Sequence, residues 1–246
     1  MELNIKQRIK KFGQLIGIEI SSFPTVALQS RKQFMKIGNF DVIFDVGANV
    51  GQFGKEVRAL GYLGQIVSFE PLSNAFTVLK KTSDLDKLWK VNHFALGSCN
   101  ETMEINISQH SASSSLLKFD DNYISENKNL TVVSTEKIEV KKIDDIFTDY
   151  IHTESNNVLL KLDTQGFEKA VLEGALRSLD KIQGIQIETS LKELYQGETL
   201  FVDMLVYLQE LGFEIFTLEP YYYEKNSHQL LQAEVYLFNK NFARTK

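Results

Sequence analysis

The sequence has little cysteine, proline or histidine. Its 246 residues include one cysteine, Cys99, three prolines and four histidines. One cysteine cannot form an internal disulfide, and no Cys/His spacing is typical of a zinc site, so a reducing, cytoplasmic compartment is the default expectation. With 43% hydrophobic and 24% charged residues, the composition is not that of a disordered or collagen-like chain. The length is sufficient for an α/β domain with a buried core.

The sequence also lacks a long hydrophobic run and an excess of positive charge. No stretch approaches the roughly 18 apolar residues that a membrane-spanning helix needs, and the N-terminus has no signal-peptide pattern. With 27 Lys and Arg against 32 Asp and Glu, the formal net charge is -5. An acidic domain does not attract nucleic acid electrostatically. We therefore expect no nucleic-acid partner.

Residues 1–20 carry a basic amphipathic pattern. The apolar residues at helical spacing are Leu3, Ile5, Ile9, Phe12 and Ile16, and the basic residues between them are Lys6, Arg8, Lys10 and Lys11. Such a helix either packs its apolar stripe onto the domain or attaches to an anionic membrane surface. Because surface helices are ordinarily amphipathic, we favour packing, with peripheral membrane contact as the alternative.

From Phe40 onward, short apolar runs alternate with helical patterns, which is typical of a mostly parallel sheet with helices on both faces. The predicted strands are Val42–Val46, Gln65–Phe69, Val91–Leu96, Val158–Leu162, Ile185–Ile187, Glu214–Leu218 and Val235–Phe238. No helical pattern joins the last two, so we expect them to be antiparallel neighbours. The domain is predicted over residues 39–246, after an N-terminal helical extension over residues 1–38.

The alternation of short apolar runs with helical patterns stops between residues 100 and 150. Met103, Ile105 and Ile107 alternate with polar residues, and a serine-rich stretch follows over residues 108–115. Alternation with a period of two indicates an antiparallel sheet with one solvated face. We predict a β-hairpin or lid over residues 100–150, inserted after the third strand.

The turn after the first strand carries the clearest binding signal. Asp45, Gly47, Asn49 and Gly51 lie where a buried strand turns into a helix, at the sheet edge where ligands bind. Glycines allow a tight turn and a close approach to the backbone. Glu70, which ends the second strand, can accept both hydroxyls of a ribose. These residues indicate a nucleoside cofactor, the alternative being that Asp45 and Asn49 only cap the helix.

The same turn discriminates between nucleosides. A dinucleotide fingerprint needs glycine where Asn49 and Gln52 stand, and no Gly-Lys-Ser/Thr follows to make a phosphate loop. Asp45 would repel a pyrophosphate but can pair with an ammonium or sulfonium group. S-adenosylmethionine carries both of those groups, so it is the predicted cofactor.

Several motifs occur in a fixed order over about residues 40–239. They are DVGANVG at 45–51, FEP at 69–71, ALG at 95–97, KLDTQGFE at 161–168 and VLEGA at 171–175. In combination they resemble the FkbM family of S-adenosylmethionine-dependent methyltransferases. The resemblance implies the class I, Rossmann-like methyltransferase fold with a reversed last strand. It also implies O-methylation of a hydroxyl, often on a sugar or polyketide product.

The sequence departs from the family pattern at two positions. Many members carry Glu where Gln165 stands, so residue 165 is not named as a base, and Asn49 occupies a position that is Gly in the broader superfamily. The second departure is usual in the family. The residues expected at the cofactor are Asp45, Gly47, Asn49, Gly51, Glu70, Pro71, Ala95, Ser114 and Asp163.

Methyl transfer from a sulfonium chiefly requires an aligned acceptor oxygen and removal of its proton. Asp163 ends the fourth predicted strand on the same face as Lys161, and we predict it to be the general base or the residue that orients the acceptor. Glu168 and Glu188 are predicted to shape the acceptor pocket, and His110 is a further candidate base. The alternative is a structural cluster of Lys161 with carboxylates, in which Glu168 only complements a helix dipole.

The acceptor is predicted to be a small molecule or glycan precursor, with Tyr221, Tyr222 and Tyr223 as a candidate stacking wall. Asp163 and Glu188 are conceivable ligands of Mg²⁺, but no metal site is predicted.

Two other functions stay open. One is N-methylation, or methylation of a protein or nucleic acid, against which no Asn-Pro-Pro-Tyr-like motif follows the fourth strand. The other is a non-catalytic nucleoside-binding module. The oligomeric state is not predicted.

Overall fold

The computed structural model describes residues 4–18, 20, 25–109, 113–121, 123, 131–151 and 157–242. The helices are α1 (Ile5–Leu15), α2 (Val26–Gly38), α3 (Gln52–Ala59), α4 (Ser73–Ser83), α5 (Ile143–Ile146), α6 (Glu168–Glu173) and α7 (Phe201–Glu210). The strands are β1 (Val42–Val46), β2 (Gln65–Phe69), β3 (Trp89–Asn92), β4 (Ala95–Leu96), β5 (Glu101–Ser108), β6 (Val132–Lys141), β7 (Val158–Leu162), β8 (Ile182–Ser190), β9 (Phe213–Tyr223) and β10 (Leu230–Asn239). Within this part of the chain, no helix is both long enough and apolar enough to cross a membrane.

The main sheet has seven strands in the order β3-β2-β1-β7-β8-β10-β9. β10 is antiparallel to β8 and β9, and the other neighbouring pairs are parallel. The predicted sheet with one reversed last strand is thereby confirmed. Because the chain runs outward from β1 to β3 and then returns to the other side of β1 as β7, a crevice opens at the carboxyl ends of β1 and β7.

Helices cover both faces of this sheet because its central strands are buried on both sides. Along β1, Val42, Phe44 and Val46 pack into one core with α6 and α7, whereas Ile43 packs into the other. Phe34 of α2 is fully buried in that second core. α2 therefore packs onto one face of the main sheet.

The predicted third strand is two strands in the structure. Trp89–Asn92 pairs with β2 in the main sheet, whereas Ala95–Leu96 pairs with β6 in a separate three-stranded sheet of order β4-β6-β5. The prediction of one strand over residues 91–96 is wrong because the chain changes partners between residues 92 and 95.

The small sheet lies against the start of α4. β5 and β6 are antiparallel, and their inward-facing Ile105, Ile138 and Val140 pack against Leu72 and Ala75. After β5 the chain crosses back, because Ser115 pairs with Asn106 and Phe119 pairs with Tyr195. This path brings residues 113–119 to the carboxyl edge of the main sheet.

Candidate active site

A cavity of about 270 Å³ opens at the carboxyl ends of β1, β2 and β7. We call its two parts the β2 end and the β10 end. The β2 end is lined by Gly47, Asn49, Glu70, Pro71, Leu72, Ala95, Leu96, Ile105, Ser114 and Leu116. The β10 end is lined by Arg31, Glu56, Lys161, Asp163, Gln165, Tyr221 and Glu234. One space thus joins most of the predicted cofactor residues to Asp163.

The loop after β1 is shaped by a backbone that passes close to β7. Gly47 has φ 76°, and a Cβ there would lie 1.9 Å from the carbonyl oxygen of Asp163, so no larger residue fits. The backbone N–H groups of Gly47 and Ala48 both donate to the carbonyl of Phe69 at 3.1 Å. The loop is thereby fixed to the end of β2, beside Glu70.

Glu70 is a buried acid at the β2 end, with 4% of its surface exposed. Its carboxylate accepts the backbone N–H of Asn49 and of Leu72, each at 2.8 Å. Burial raises the pKa of this carboxyl to about 7, against the opposing effect of those two backbone donors. Each oxygen keeps a further lone pair, so the carboxylate can accept hydroxyl groups from a ligand.

The remaining walls of the β2 end are mostly apolar. Leu72, Ala95 and Ile105 belong to one buried cluster, with Leu116 packed against it. Ser114 supplies a hydroxyl, which is held in place because its oxygen accepts the Ser108 N–H at 3.1 Å. An apolar wall with few polar groups is suited to a planar base.

Asp45 does not line the cavity, contrary to the prediction that it pairs with a cationic ligand. It is fully buried, accepts the Ser68 hydroxyl at 2.9 Å and lies 3.2 Å from Lys161 Nζ. Its charge is already balanced inside the protein. Gly51 is also outside the cavity: it precedes α3 with φ 85°, and a Cβ there would lie 3.0 Å from Leu79. The structure gives both residues structural roles.

Lys161 lies between the two aspartates, Asp45 and Asp163, at the floor of the cavity. Its Nζ lies 3.2 Å from Asp45 Oδ1 and 3.4 Å from Asp163 Oδ2, and it donates to the carbonyl of Gly47 at 3.4 Å. Burial alone lowers the pKa of Lys161, but the carboxylates of Asp163 and Asp45 raise it overall. The predicted alternative of a Lys161-carboxylate cluster therefore exists, and it includes the candidate base.

Gln165 forms a bridge between Asp163 and Glu188. Its amide nitrogen donates to Asp163 Oδ1 at 2.8 Å and to Glu188 Oε1 at 3.0 Å, and its amide oxygen accepts the Tyr195 hydroxyl at 2.7 Å. Its backbone is left-handed with φ 56°, and its carbonyl accepts the Ser115 hydroxyl at 2.6 Å. Sequence reasoning missed Tyr195 as the residue that fixes Gln165, because no motif marks it.

Glu188 lies behind this bridge and does not line the cavity. Burial and the nearby carboxylates of Asp163 and Glu168 raise its pKa well above its ordinary value. Gln232 donates a second amide hydrogen to Glu188 Oε1 at 2.6 Å. Two amide N–H groups thus donate to the Glu188 carboxylate. A carboxylate that binds a metal would have the cation in the place of these donors. No group of three His, Cys, Asp or Glu side chains in the described ranges is arranged to hold a metal.

Glu168 is directed into the loop after β7 rather than into the cavity. One oxygen accepts the Thr164 N–H at 2.7 Å, the Thr164 hydroxyl at 3.1 Å and the Gly166 N–H at 3.3 Å. Burial raises the pKa of Glu168 to about 7. This placement favours the structural role over the predicted acceptor pocket. His110, the other candidate base, lies outside the described residues.

Arg31 closes the β10 end from α2. Its Nε donates to the Tyr236 hydroxyl at 2.7 Å, its guanidinium binds Glu234 at 2.6 Å, and it also pairs with Glu56. Tyr221 alone of the three candidate wall tyrosines lines the cavity. Sequence reasoning missed Arg31, Glu56 and Glu234, which come from separate segments without a shared motif.

The family of the chain follows from its sequence match. Residues 45–215, more than half of the chain, match the methyltransferase FkbM domain. The chain belongs to this family. The membership confirms the prediction of an S-adenosylmethionine-dependent methyltransferase. No curated protein matches the sequence significantly.

Solved structures share the fold at low sequence identity. The methyltransferase FkbM from Methylobacillus flagellatus KT is 16% identical with a TM-score of 0.51, and the match covers 80% of this chain and 44% of that one. The chain thus spans less than half the length of that protein. Magnesium protoporphyrin IX methyltransferase from Synechocystis PCC 6803 is 8% identical with a TM-score of 0.48, and the match covers 97% of this chain and 86% of that one. An rRNA methylase from Streptococcus thermophilus is 11% identical with a TM-score of 0.47, and the match covers 89% of this chain and 99% of that one. At 16% identity the likeness to the Methylobacillus flagellatus protein concerns the fold alone.

Proposed function

We propose that this chain transfers the methyl group of S-adenosylmethionine to a hydroxyl of a neutral sugar, glycan precursor or other hydroxylated metabolite. The observation that carries this proposal is the single cavity, which joins the buried carboxylate of Glu70 to the carboxylate of Asp163. The first is suited to a ribose and the second to an acceptor hydroxyl.

The residues of the β2 end fit the nucleoside part of the cofactor. Glu70 accepts the two ribose hydroxyls with its remaining lone pairs, and the apolar wall of Leu72, Ala95 and Ile105 takes the base. When bound, the cofactor supplies a methyl group already activated as a sulfonium. The Gly47 loop, which leads from this end to Asp163, takes the amino-acid part.

Asp163 is the proposed base. About a third of its side chain is exposed, and its two oxygens are held from below by Lys161 Nζ at 3.4 Å and from the side by the Gln165 amide at 2.8 Å. A carboxylate fixed in this way can orient an acceptor hydroxyl and accept its proton. Lys161 and Gln165 are therefore positioning residues, and Glu188 supports the bridge.

The charges of the β10 end support a neutral acceptor. Among the described residues that line the cavity, Arg31 and Lys161 are the cations, and both are ion-paired with carboxylates. A phosphate would have to compete with those pairs and would be repelled by Glu56 and Glu234. Tyr221 offers a hydroxyl donor and a ring on which a sugar can stack.

We also propose the domain division that the sequence predicts. Residues 39–246 form the methyltransferase domain, and residues 100–150 are the insertion that covers the β2 end through Ser114 and Leu116. Of the extension over residues 1–38, α2 supplies Arg31 to the cavity.

Mass spectrometry with candidate acceptors tests the proposal. The protein and S-adenosylmethionine are incubated with matched sets of neutral sugars, sugar phosphates and amines, and products are screened for the gain of one methyl. We expect O-methylation in the neutral set, lost in Asp163→Asn while cofactor binding is retained. Methylation of nitrogen or of phosphorylated acceptors, or cofactor binding without transfer to any acceptor class, would count against it.

A further inference from the structure

The helix α1 leaves its apolar side chains in solvent. Ile5 is 77% exposed, Phe12 62% and Leu15 79%, and Gly13 is the buried residue within the helix. The favoured sequence interpretation, in which this stripe packs onto the domain, is therefore wrong. By contrast α2, the next helix, buries Phe34 completely.

Four exposed apolar side chains in and next to α1 share one face. With 3.6 residues per turn, Ile5, Ile9, Phe12 and Ile16 lie within one narrow stripe. The basic residues flank the stripe on both sides: Lys6 and Lys10 on one, Arg8 and Lys11 on the other. No acidic residue occurs in residues 4–18, although the whole chain carries a net charge of -5.

Two local hydrogen bonds cap the start of α1. The Asn4 side chain accepts the Gln7 N–H and the Gln7 side chain accepts the Asn4 N–H, each at 2.9 Å, which forms a capping box. The helix therefore begins at a defined residue and presents its apolar stripe and cations together.

We propose that α1 docks the protein on an anionic membrane surface. The apolar stripe inserts at the boundary between headgroups and acyl chains, and the flanking cations lie at the height of the lipid phosphates. An apolar protein surface would cover the stripe but would leave four cations without counter-charges, whereas anionic headgroups supply those charges beside an apolar layer. The charge of the helix therefore favours anionic lipid as the occupant.

Vesicle co-sedimentation of the full chain tests this proposal. We expect binding to phosphatidylcholine vesicles containing phosphatidylserine, weak binding to pure phosphatidylcholine, and loss of binding at high salt. The double variant Lys6→Gln/Lys10→Gln should bind the anionic vesicles about 25-fold more weakly, at about fivefold per cation. Ile9→Glu/Phe12→Glu should abolish binding.

A matched control separates the stripe from hydrophobicity in general. Val202 of α7 is also exposed, at 67%, and Val202→Glu should leave vesicle binding unchanged. All variants should retain binding of S-adenosylmethionine, which verifies their folding independently of any lipid. Equal binding of wild type and Ile9→Glu/Phe12→Glu would overturn the proposal. So would no vesicle binding by the wild type, or a wild-type dimer that only the stripe variant dissociates.

Discussion

The two ends of the cavity are built from different kinds of contact. At the β2 end, Glu70 accepts backbone N–H groups from the adjacent loop, so its position follows from the local path of the chain. At the β10 end, Arg31 is held by the side chains of Glu56, Glu234 and Tyr236 from distant segments. The first end keeps lone pairs free for a ligand, whereas the second balances its charges internally. The β2 end, where we propose that the ribose binds, and the β10 end, where we propose that the acceptor binds, are therefore expected to respond differently to substitution.

The largest effect is expected from Asp163→Asn. The amide keeps the size of the side chain but cannot accept the acceptor proton, so kcat should fall by about 10²- to 10⁴-fold. The dissociation constant of S-adenosylmethionine, measured by calorimetry, should be nearly unchanged. Full turnover in this variant would show that Asp163 is not the base.

Glu70→Ala tests the other end. Loss of the acceptor for both ribose hydroxyls should weaken binding of S-adenosylmethionine by about 10²-fold, since a hydrogen bond to a charged group contributes about 1.5–3 kcal/mol. Glu219→Gln is the matched control, because burial also raises the pKa of Glu219 to about 7 but Glu219 lies outside the cavity lining. If both variants lost the same affinity for S-adenosylmethionine, the loss would come from a general disturbance of the protein and not from a missing contact between Glu70 and the ribose.

Gln165→Glu tests the bridge to Asp163. A third carboxylate would replace the amide donor between Asp163 and Glu188 and repel both, so Asp163 should lose its orientation. We expect kcat to fall about 30-fold and its acidic pH limb to move upward, because like charges favour the protonated forms. An unchanged pH profile would assign Gln165 only a structural role.

The pH dependence of cofactor binding should come from Glu70. Its pKa in the free protein is raised to about 7, and the ribose hydroxyls need the ionised form as acceptor. The affinity for S-adenosylmethionine is therefore highest above pH 7. It falls by about tenfold for each pH unit below that value, as Glu70 becomes protonated. Calorimetry of Glu70→Gln should show weaker affinity without this slope, whereas a persisting slope would assign it to another group.

The smallest effect is expected from Arg31→Lys. Lysine keeps the charge but cannot reproduce the forked contacts to Glu234 and Tyr236, so the β10 end should loosen. The KM of the acceptor should rise about threefold, with the affinity for S-adenosylmethionine unchanged. A change in the affinity for S-adenosylmethionine alone would contradict the proposal that Arg31 acts at the β10 end, on the acceptor.

The fold was largely predictable because its signals are local. Glycine-bounded apolar runs located the central strands, and the missing helix before β10 predicted its reversal. The division between β3 and β4 was not predictable, since no glycine or proline marks it. That division depends on pairing with β6, about 45 residues further along the chain.

The same distinction applies to the site. The sequence indicated Glu70, Gly47 and Asn49, which line the cavity, because they occupy one motif and one strand end. Asp45 was assigned to the ligand because the sequence did not show that Lys161, folded beside it from β7, already balances its charge. Arg31 had no local signal at all, because its function follows from contacts that only the folded chain creates.

The most direct measurement is a crystal structure of the protein with S-adenosylhomocysteine. We expect both ribose hydroxyls within about 2.6–3.2 Å of the Glu70 carboxylate oxygens, and the sulfur on the side of the cavity that faces Asp163. A nucleoside bound elsewhere, or one whose ribose does not contact Glu70, would contradict it.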